Sequence, residues 1–340
     1  MNALEKKIAL SFKVKNALFT GSGTTALYLS FLYLKRLGKN KILIPSMVCP
    51  QITCAAIKAG CEVIFCDVNL KNYTLDFKSL IEIYKKQKID CIVLVHIYGH
   101  FCDEKIIDFA KKHSIFLLED CAQTYKVNKK CDLSILSFGH TKFLENRQWG
   151  GGIVSNKLSL NFLKKENKKL PLKENFLQKY DEYRHKYYSL DKNSPKYYEN
   201  LKNLLLEHTF FFKSKENPLI FKRLKELDKI CKNRKKNLKI YESILKHKFI
   251  KKPILSKDCI PWRYTFRLLN NREFILEELR KANIDCSSWY IPNHLIFSRQ
   301  NLKNAELLNK EIVNLWLNIS TKKIRQNCFF MLQLLNSLNC

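Results

Sequence analysis

Acidic residues are scarce in this 340-residue chain, with 31 Asp and Glu against 61 Lys and Arg and a formal net charge of +30. Other scarcities narrow the field first. No apolar stretch reaches the roughly 18 residues that a membrane-spanning helix requires, so membrane insertion is not expected. The opening MNALEKKIALSF lacks the apolar core of a signal peptide. There is no internal repeat and no low-complexity linker, which sets aside solenoids and tethered modules. Thirteen cysteines include no CxxC pair; the nearest spacings are Cys49 with Cys54 and Cys61 with Cys66. That excludes a zinc finger, and the chain is long for a secreted disulfide framework. Cys66 and Cys91 lie inside apolar runs, where a thiol behaves as a small hydrophobe. The chain reads as reduced, soluble and cytoplasmic.

The positive excess invites a nucleic-acid reading, but Arg is rare. Lys outnumbers it by 50 to 11 and is spread from Lys6 to Lys323. Arg is the better residue for bidentate phosphate recognition, and a dedicated binder concentrates its charge on one face. No RNP-like aromatic run and no basic heptad region is present. A lysine-rich compositional bias accounts for the charge, with a field that attracts an anionic small substrate or a membrane surface as the alternative. No nucleic-acid partner is expected.

With 46% apolar residues the chain can bury a sizeable core. Up to residue 155, short apolar runs alternate with amphipathic stretches. Strands are predicted at 41–44, 62–68, 91–96, 115–119, 133–138 and 152–155, and helices at 24–37, 51–59, 77–88 and 104–113. Runs such as IVLV and IFLL are continuously apolar, as in strands covered on both faces. The alternation predicts an α/β fold with a mostly parallel sheet. From 157 to 217 the pattern changes to Lys-, Asn- and Tyr-rich helices. A long helix at 220–245 follows, then a strand in PWRYTFRLL, a helix at 272–282, a strand near 285–290 and a last helix near the C-terminus. A large domain at 1–215, with a variable helical segment at 157–215, and a smaller α/β domain at 216–340 are expected.

Three segments carry chemistry. GSGTTAL at 21–27 precedes an amphipathic helix; Gly admits an anion close to the backbone, and the free N–H groups of a helix start favour phosphate. Thr24 and Thr25 can add hydroxyl donors, although a simple helix cap explains the same letters. IFLLEDCAQ at 115–123 ends a strand in Glu119 and Asp120, delivering a carboxylate to the edge where α/β ligands bind. In LSILSFGHTKFL at 133–144 a strand ends in Ser137 and Lys142 follows five residues later. A lysine that must condense with an aldehyde sits on a fixed loop, partly desolvated, so that a fraction of it is neutral. Each segment alone has a structural explanation. Together, in order, they supply the phosphate cradle, acid and lysine that pyridoxal 5'-phosphate (PLP) requires of its protein.

These segments resemble the DegT/DnrJ/EryC1/StrS family of PLP-dependent sugar aminotransferases. The similarity continues through IPSMVCP at 44–50, AGCEVIFCDVN at 59–69, VHIYGH at 95–100, GGIVSN at 151–156, ELDKICKNRKKN at 226–237, PWRYTFRL at 261–268 and WYIPNH at 289–294. It implies a fold-type I protein with Lys142 holding the cofactor and acting as general acid/base. Asp120 would pair with the pyridine nitrogen and Gln123 with the ring's 3-oxygen. Gly23, Thr24, Thr25 and Ser137 would hold the phosphate, and Cys49 would face the ring. It further implies glutamate as amino donor, a nucleotide-linked keto-sugar as acceptor, a product destined for lipopolysaccharide or another surface polysaccharide, and a homodimer with its active sites at the interface.

The departures are specific. The loop Glu145 to Trp149 replaces a more glycine-rich one, and Arg147 and Trp149 there face either a ligand or simply a repacked loop. The partner-chain phosphate ligand has no recognisable counterpart in 157–217. His294 belongs either near the site or in the core. His140 lies two residues before the lysine; relatives with His in place of Lys are dehydratases, and the presence of Lys142 favours transamination. A dehydratase and a non-catalytic regulatory protein are the rival readings.

Overall fold

The apolar runs of the first half become the strands of one sheet. The computed structural model describes residues 1–145, 149–172, 176–214 and 218–338. Seven strands line up: β1 (Asn16–Thr20), β2 (Lys41–Pro45), β3 (Glu62–Cys66), β4 (Cys91–Val95), β5 (Phe116–Asp120), β6 (Leu133–Ser137) and β7 (Gly151–Ser155). Their spatial order is β1-β7-β6-β5-β4-β2-β3. β2 pairs in parallel with β3 and β4, β4 with β5, and β5 with β6. β7 runs antiparallel to both β6 and β1, so β1 points the same way as the parallel strands. All five residues of β4, CIVLV, are buried, as a strand covered on both faces requires.

Helices cover the sheet: α1 (Ala3–Phe12), α2 (Gly23–Arg36), α3 (Pro50–Lys58), α4 (Phe77–Lys86), α5 (Glu104–Lys112) and α6 (Asn161–Lys169). Side chains of Ser22, Asp76 and Asp103 accept first-turn N–H groups at the starts of α2, α4 and α5, which fixes where each helix begins. The Tyr-rich stretch adds α7 (Phe176–Ser189) and α8 (Tyr197–Glu207), then α9 (Pro218–Ile244) leads to the C-terminal part.

There a second sheet forms from β8 (Ile250–Lys251), β9 (Arg263–Leu268), β10 (Cys286–Ser287) and β11 (Ile312–Trp316), ordered β10-β11-β9-β8 and antiparallel throughout. The remaining helices are α10 (Arg272–Lys281), α11 (Asn293–Phe297), α12 (Lys303–Glu311) and α13 (Thr321–Ser337). Tyr264 and Phe266 of β9, with Val313 and Leu315 of β11, pack on Ile275 and Leu279 of α10 and on Ile324, Met331 and Leu335 of α13. Each such aliphatic or Phe side chain contributes about 1.5–3 kcal/mol by leaving water.

Several elements depart from the sequence expectation. β1, β11 and α1 were not predicted, and the strand expected at 285–290 is only the two residues of β10. Among the described residues no helix is long and apolar enough to cross a membrane. Of the twelve described cysteines none forms a disulfide, and only Cys49 is not buried.

The topology converges on one edge. The C-terminal ends of β1, β2, β4, β5 and β6 all open there, delivering the segments that begin at Gly21, Ser46, His96, Cys121 and Phe138. This is the edge at which open α/β sheets place their ligands.

Candidate active site

Strand alternation decides which of the two acids at the end of β5 faces this edge. Glu119 turns into the fold, 1% exposed. It accepts from Ser134 Oγ at 2.6 Å, from the Asn128 N–H at 2.9 Å, and pairs with His96 Nε2 at 2.7 Å. The Cys102 N–H reaches His96 Nδ1 at 3.3 Å, so Nδ1 is the acceptor and Nε2 carries the proton given to Glu119. Asp120 takes the opposite face and is also buried. One of its oxygens accepts the Ala122 N–H at 2.8 Å. Burial raises its carboxyl above the ordinary value, while the Ala122 N–H and the Lys142 charge pull it back toward ionisation.

Lys142 lies half-buried on the loop after β6, with Nζ 4.9 Å from the centre of the Trp262 ring. Burial lowers its ammonium below the usual lysine value, with Arg263 acting in the same direction; Cys49 and Asp120 oppose both. Trp262 fixes that loop by donating its indole N–H to Thr141 O at 2.6 Å. Cys49 immediately precedes α3, within electrostatic reach of both Lys142 and Asp120, and burial pushes its thiol up.

The start of α2 stands against the end of β6. Gly23 has no room for a side chain: a Cβ there would meet Ser137 Cβ at 2.9 Å and Ser137 Oγ at 3.1 Å. Its N–H and that of Thr24 find no acceptor among the described residues. Thr25 differs from the expectation. Its N–H is capped by Ser22 Oγ at 3.0 Å, and its hydroxyl is enclosed by Ser22 Oγ and the Phe212 backbone, at 3.0 and 3.2 Å. A threonine that ties the helix start to the 209–214 segment has no hydroxyl left to offer an anion.

Gln123 is buried, accepting the Tyr98 N–H at 2.5 Å and donating Nε2 to the Tyr290 hydroxyl at 2.9 Å. His140 is exposed. His294 is fully buried, with Nδ1 2.6 Å from Ser46 Oγ and Nε2 3.3 Å from Glu306, so it braces the loop after β2. Trp149 packs on Gly139 and meets the Tyr180 ring at 5.1 Å, bringing α7 over the site. Arg147 lies outside the described residues.

The structure thus gathers Lys142, Asp120, Gln123, Cys49, Gly23, Thr24 and Ser137 at one sheet edge. Trp262, Arg263 and Tyr290 join them without having been singled out from sequence. The only signal for these three was their position inside PWRYTFRL and WYIPNH.

The donor set fits PLP. A helix start with two free N–H groups and a facing serine suits a phosphate, the space above Gly23 exists only because a side chain is missing, and a lysine with a depressed ammonium stands near a buried carboxylate. Fold and site define the class of fold-type I PLP proteins. Residues 1–325 match the model of the DegT/DnrJ/EryC1/StrS aminotransferase family, to which the chain belongs. The family's cofactor is PLP.

Among individual relatives, GDP-perosamine synthase of Escherichia coli O157:H7 is 30% identical over 164 residues, 46% of this chain and 44% of that protein. A "pleiotropic regulatory protein" of Geobacillus stearothermophilus is 30% identical over 162 residues, 45% of this chain and 43% of that one. The chain spans under half the length of these curated relatives in either match. In fold, it is similar to Helicobacter pylori PseC, an aminotransferase of pseudoaminic acid biosynthesis, with a TM-score of 0.77 and 19% identity over 98% of this chain and 90% of that one.

Proposed function

We propose that the chain is a PLP-dependent aminotransferase that moves an amino group from glutamate to a nucleotide-linked keto-sugar, for a surface polysaccharide such as lipopolysaccharide. The observation that carries this is the joint placement of Lys142 and Asp120 at the sheet edge where Gly23 also packs against Ser137. Bound there, PLP supplies an electron sink for the carbon that loses its proton.

The chain's own residues do the rest. Gly23, Thr24 and Ser137 anchor the phosphate through N–H and hydroxyl donors. Asp120 would hold a proton on the pyridine nitrogen. Its burial makes the ionised form costly when alone and stable beside a cation. Lys142, whose ammonium is depressed by burial, has a neutral fraction that can take up and return the proton moved during transfer. Gln123, already fixed by Tyr98 and Tyr290, would meet the ring's hydroxyl side, and Cys49 would line the ring face. A homodimer with a partner residue completing the phosphate site fits this reading.

The test is to incubate the protein with PLP, glutamate and a panel of nucleotide-linked keto-sugars, and to follow 2-oxoglutarate. Steady release that depends on one keto-sugar is expected. Release of none, with any sugar, would overturn the reading. The resemblance to the regulatory protein keeps one rival in view: it predicts PLP binding without turnover.

A further inference from the structure

Three arginines are buried around β9, and they are not equivalent. Arg267 is ion-paired with Glu311 at 2.5 Å. Arg234 of α9 gives Nη1 to Trp262 O at 2.5 Å and lies over the Phe143 ring at 4.4 Å. Arg263 is 3% exposed and has neither a hydrogen bond nor an ion pair among the described residues; its Nε is buried without a partner. Its guanidinium carbon lies over two aromatic rings, 3.2 Å from the centre of Trp316 and 4.6 Å from that of Trp262. Cation–π contact recovers part of what burial of a charge costs, but does not use the N–H donors in the guanidinium plane.

The carboxylates that act on this guanidinium, Asp285 and Glu145, form no ion pair with it, and each gives one oxygen to another group. Asp285 Oδ2 accepts the Trp316 indole N–H, and Glu145 Oε2 accepts the Thr141 N–H at 2.6 Å. Burial pushes the Arg263 guanidinium down to about 10, which Asp285 opposes only in part. A charged fork kept dry and unpaired indicates an anion that arrives with a ligand.

Position says which anion. Lys142 Nζ lies 4.9 Å from the same Trp262 ring that Arg263 contacts at 4.6 Å. On the aminotransferase reading, on which this inference rests, the donor's amino-bearing carbon must come to Lys142. Its α-carboxylate is one bond away. A sugar's diphosphate is separated from the reacting carbon by part of the sugar ring, whereas the donor's carboxylate is directly attached to it. A planar fork also matches a carboxylate with two parallel hydrogen bonds. We propose that Arg263 binds the α-carboxylate of the amino-acid donor and thereby selects α-amino acids for the first half of the reaction.

The experiment compares PLP-loaded wild type with Arg263→Gln and Arg263→Lys. Colour with PLP is expected in all three. The glutamate concentration that half-bleaches it is expected to rise roughly 10- to 100-fold in Arg263→Gln, the worth of a charge-assisted hydrogen bond, with partial recovery in Arg263→Lys. Bleaching by a primary amine without a carboxylate, and the KM for the keto-sugar nucleotide, should stay as in wild type. Should Arg263→Gln fail to fold, Arg263→Lys and protection of the wild type against heat by unreactive glutarate carry the test. Unchanged glutamate dependence, or a shift confined to the sugar nucleotide, overturns the inference while leaving the enzyme reading intact. A colourless wild type overturns the enzyme reading and this inference with it.

Discussion

At the residue scale the division of labour between Glu119 and Asp120 rests on one β-strand period. Glu119 is fully engaged by His96, Ser134 and Asn128, whereas Asp120 keeps one carboxylate oxygen for the site. Asp120→Asn removes the charge and keeps the shape. It should retain PLP colour but lose roughly 100-fold or more in turnover, as for other preorganised charges; undiminished turnover measured by 2-oxoglutarate release would remove Asp120 from the site. Gly23→Ala pushes a methyl to 2.9 Å from Ser137 Cβ. An equilibrium titration should find PLP affinity weakened roughly tenfold, about one hydrogen bond; undiminished affinity would remove Gly23 from the phosphate site. Lys142, Ser137 and the Glu119–Asp120 pair could be placed at the sheet edge from sequence because strand-end motifs put them there, whereas Gln123 and the choice of Asp120 came only with the family resemblance. Arg263 was not, since its meaning comes from an absent partner, which only packing reveals.

Elements tell the same story of local and non-local signals. β2, β4, β5 and β6 were readable because an apolar run of Ile, Leu and Val covered on both faces leaves a continuous signature. β1 was missed: NALFT is short, and what makes it a strand is pairing with β7, Asn16 opposite Ser155, some 140 residues away. β11 follows α12 with no Gly or Pro between them, so no turn residue marked it. The link between the two sheets has its own pH signature. His100, 1% exposed, shares its Nδ1 proton with Asn72 O at 2.9 Å and its Nε2 with the Thr265 hydroxyl of β9 at 3.0 Å. Burial lowers it from 6.5 to about 4. The unfolded chain therefore takes up a proton first as pH falls below 6.5, and stability should decline between 6.5 and about 4, by roughly 3 kcal/mol from this group. Denaturant unfolding at stepped pH checks it: His100→Gln should flatten that slope, and an unchanged slope would locate the proton elsewhere.

On the scale of the whole molecule, two α/β layers are joined by α9 and by Trp262, whose backbone N–H binds Tyr98 O at 2.6 Å and whose carbonyl takes Arg234. The fold class was legible from the order of strands and helices. The cover supplied by α7 was not, because Tyr180 and Trp149 meet only once the 157–214 helices are packed. The proposed homodimer predicts twice the chain mass in sedimentation at micromolar concentration, against a monomer if the site is complete in one chain. The central claim is that Lys142 holds PLP for amino transfer. Its most direct test is the visible absorbance of the purified protein titrated with PLP and then with glutamate, beside Lys142→Ala. A colour that saturates at one PLP per chain, is bleached by glutamate and is missing from Lys142→Ala is the predicted result; equal colour in the variant, or none in the wild type, would contradict it.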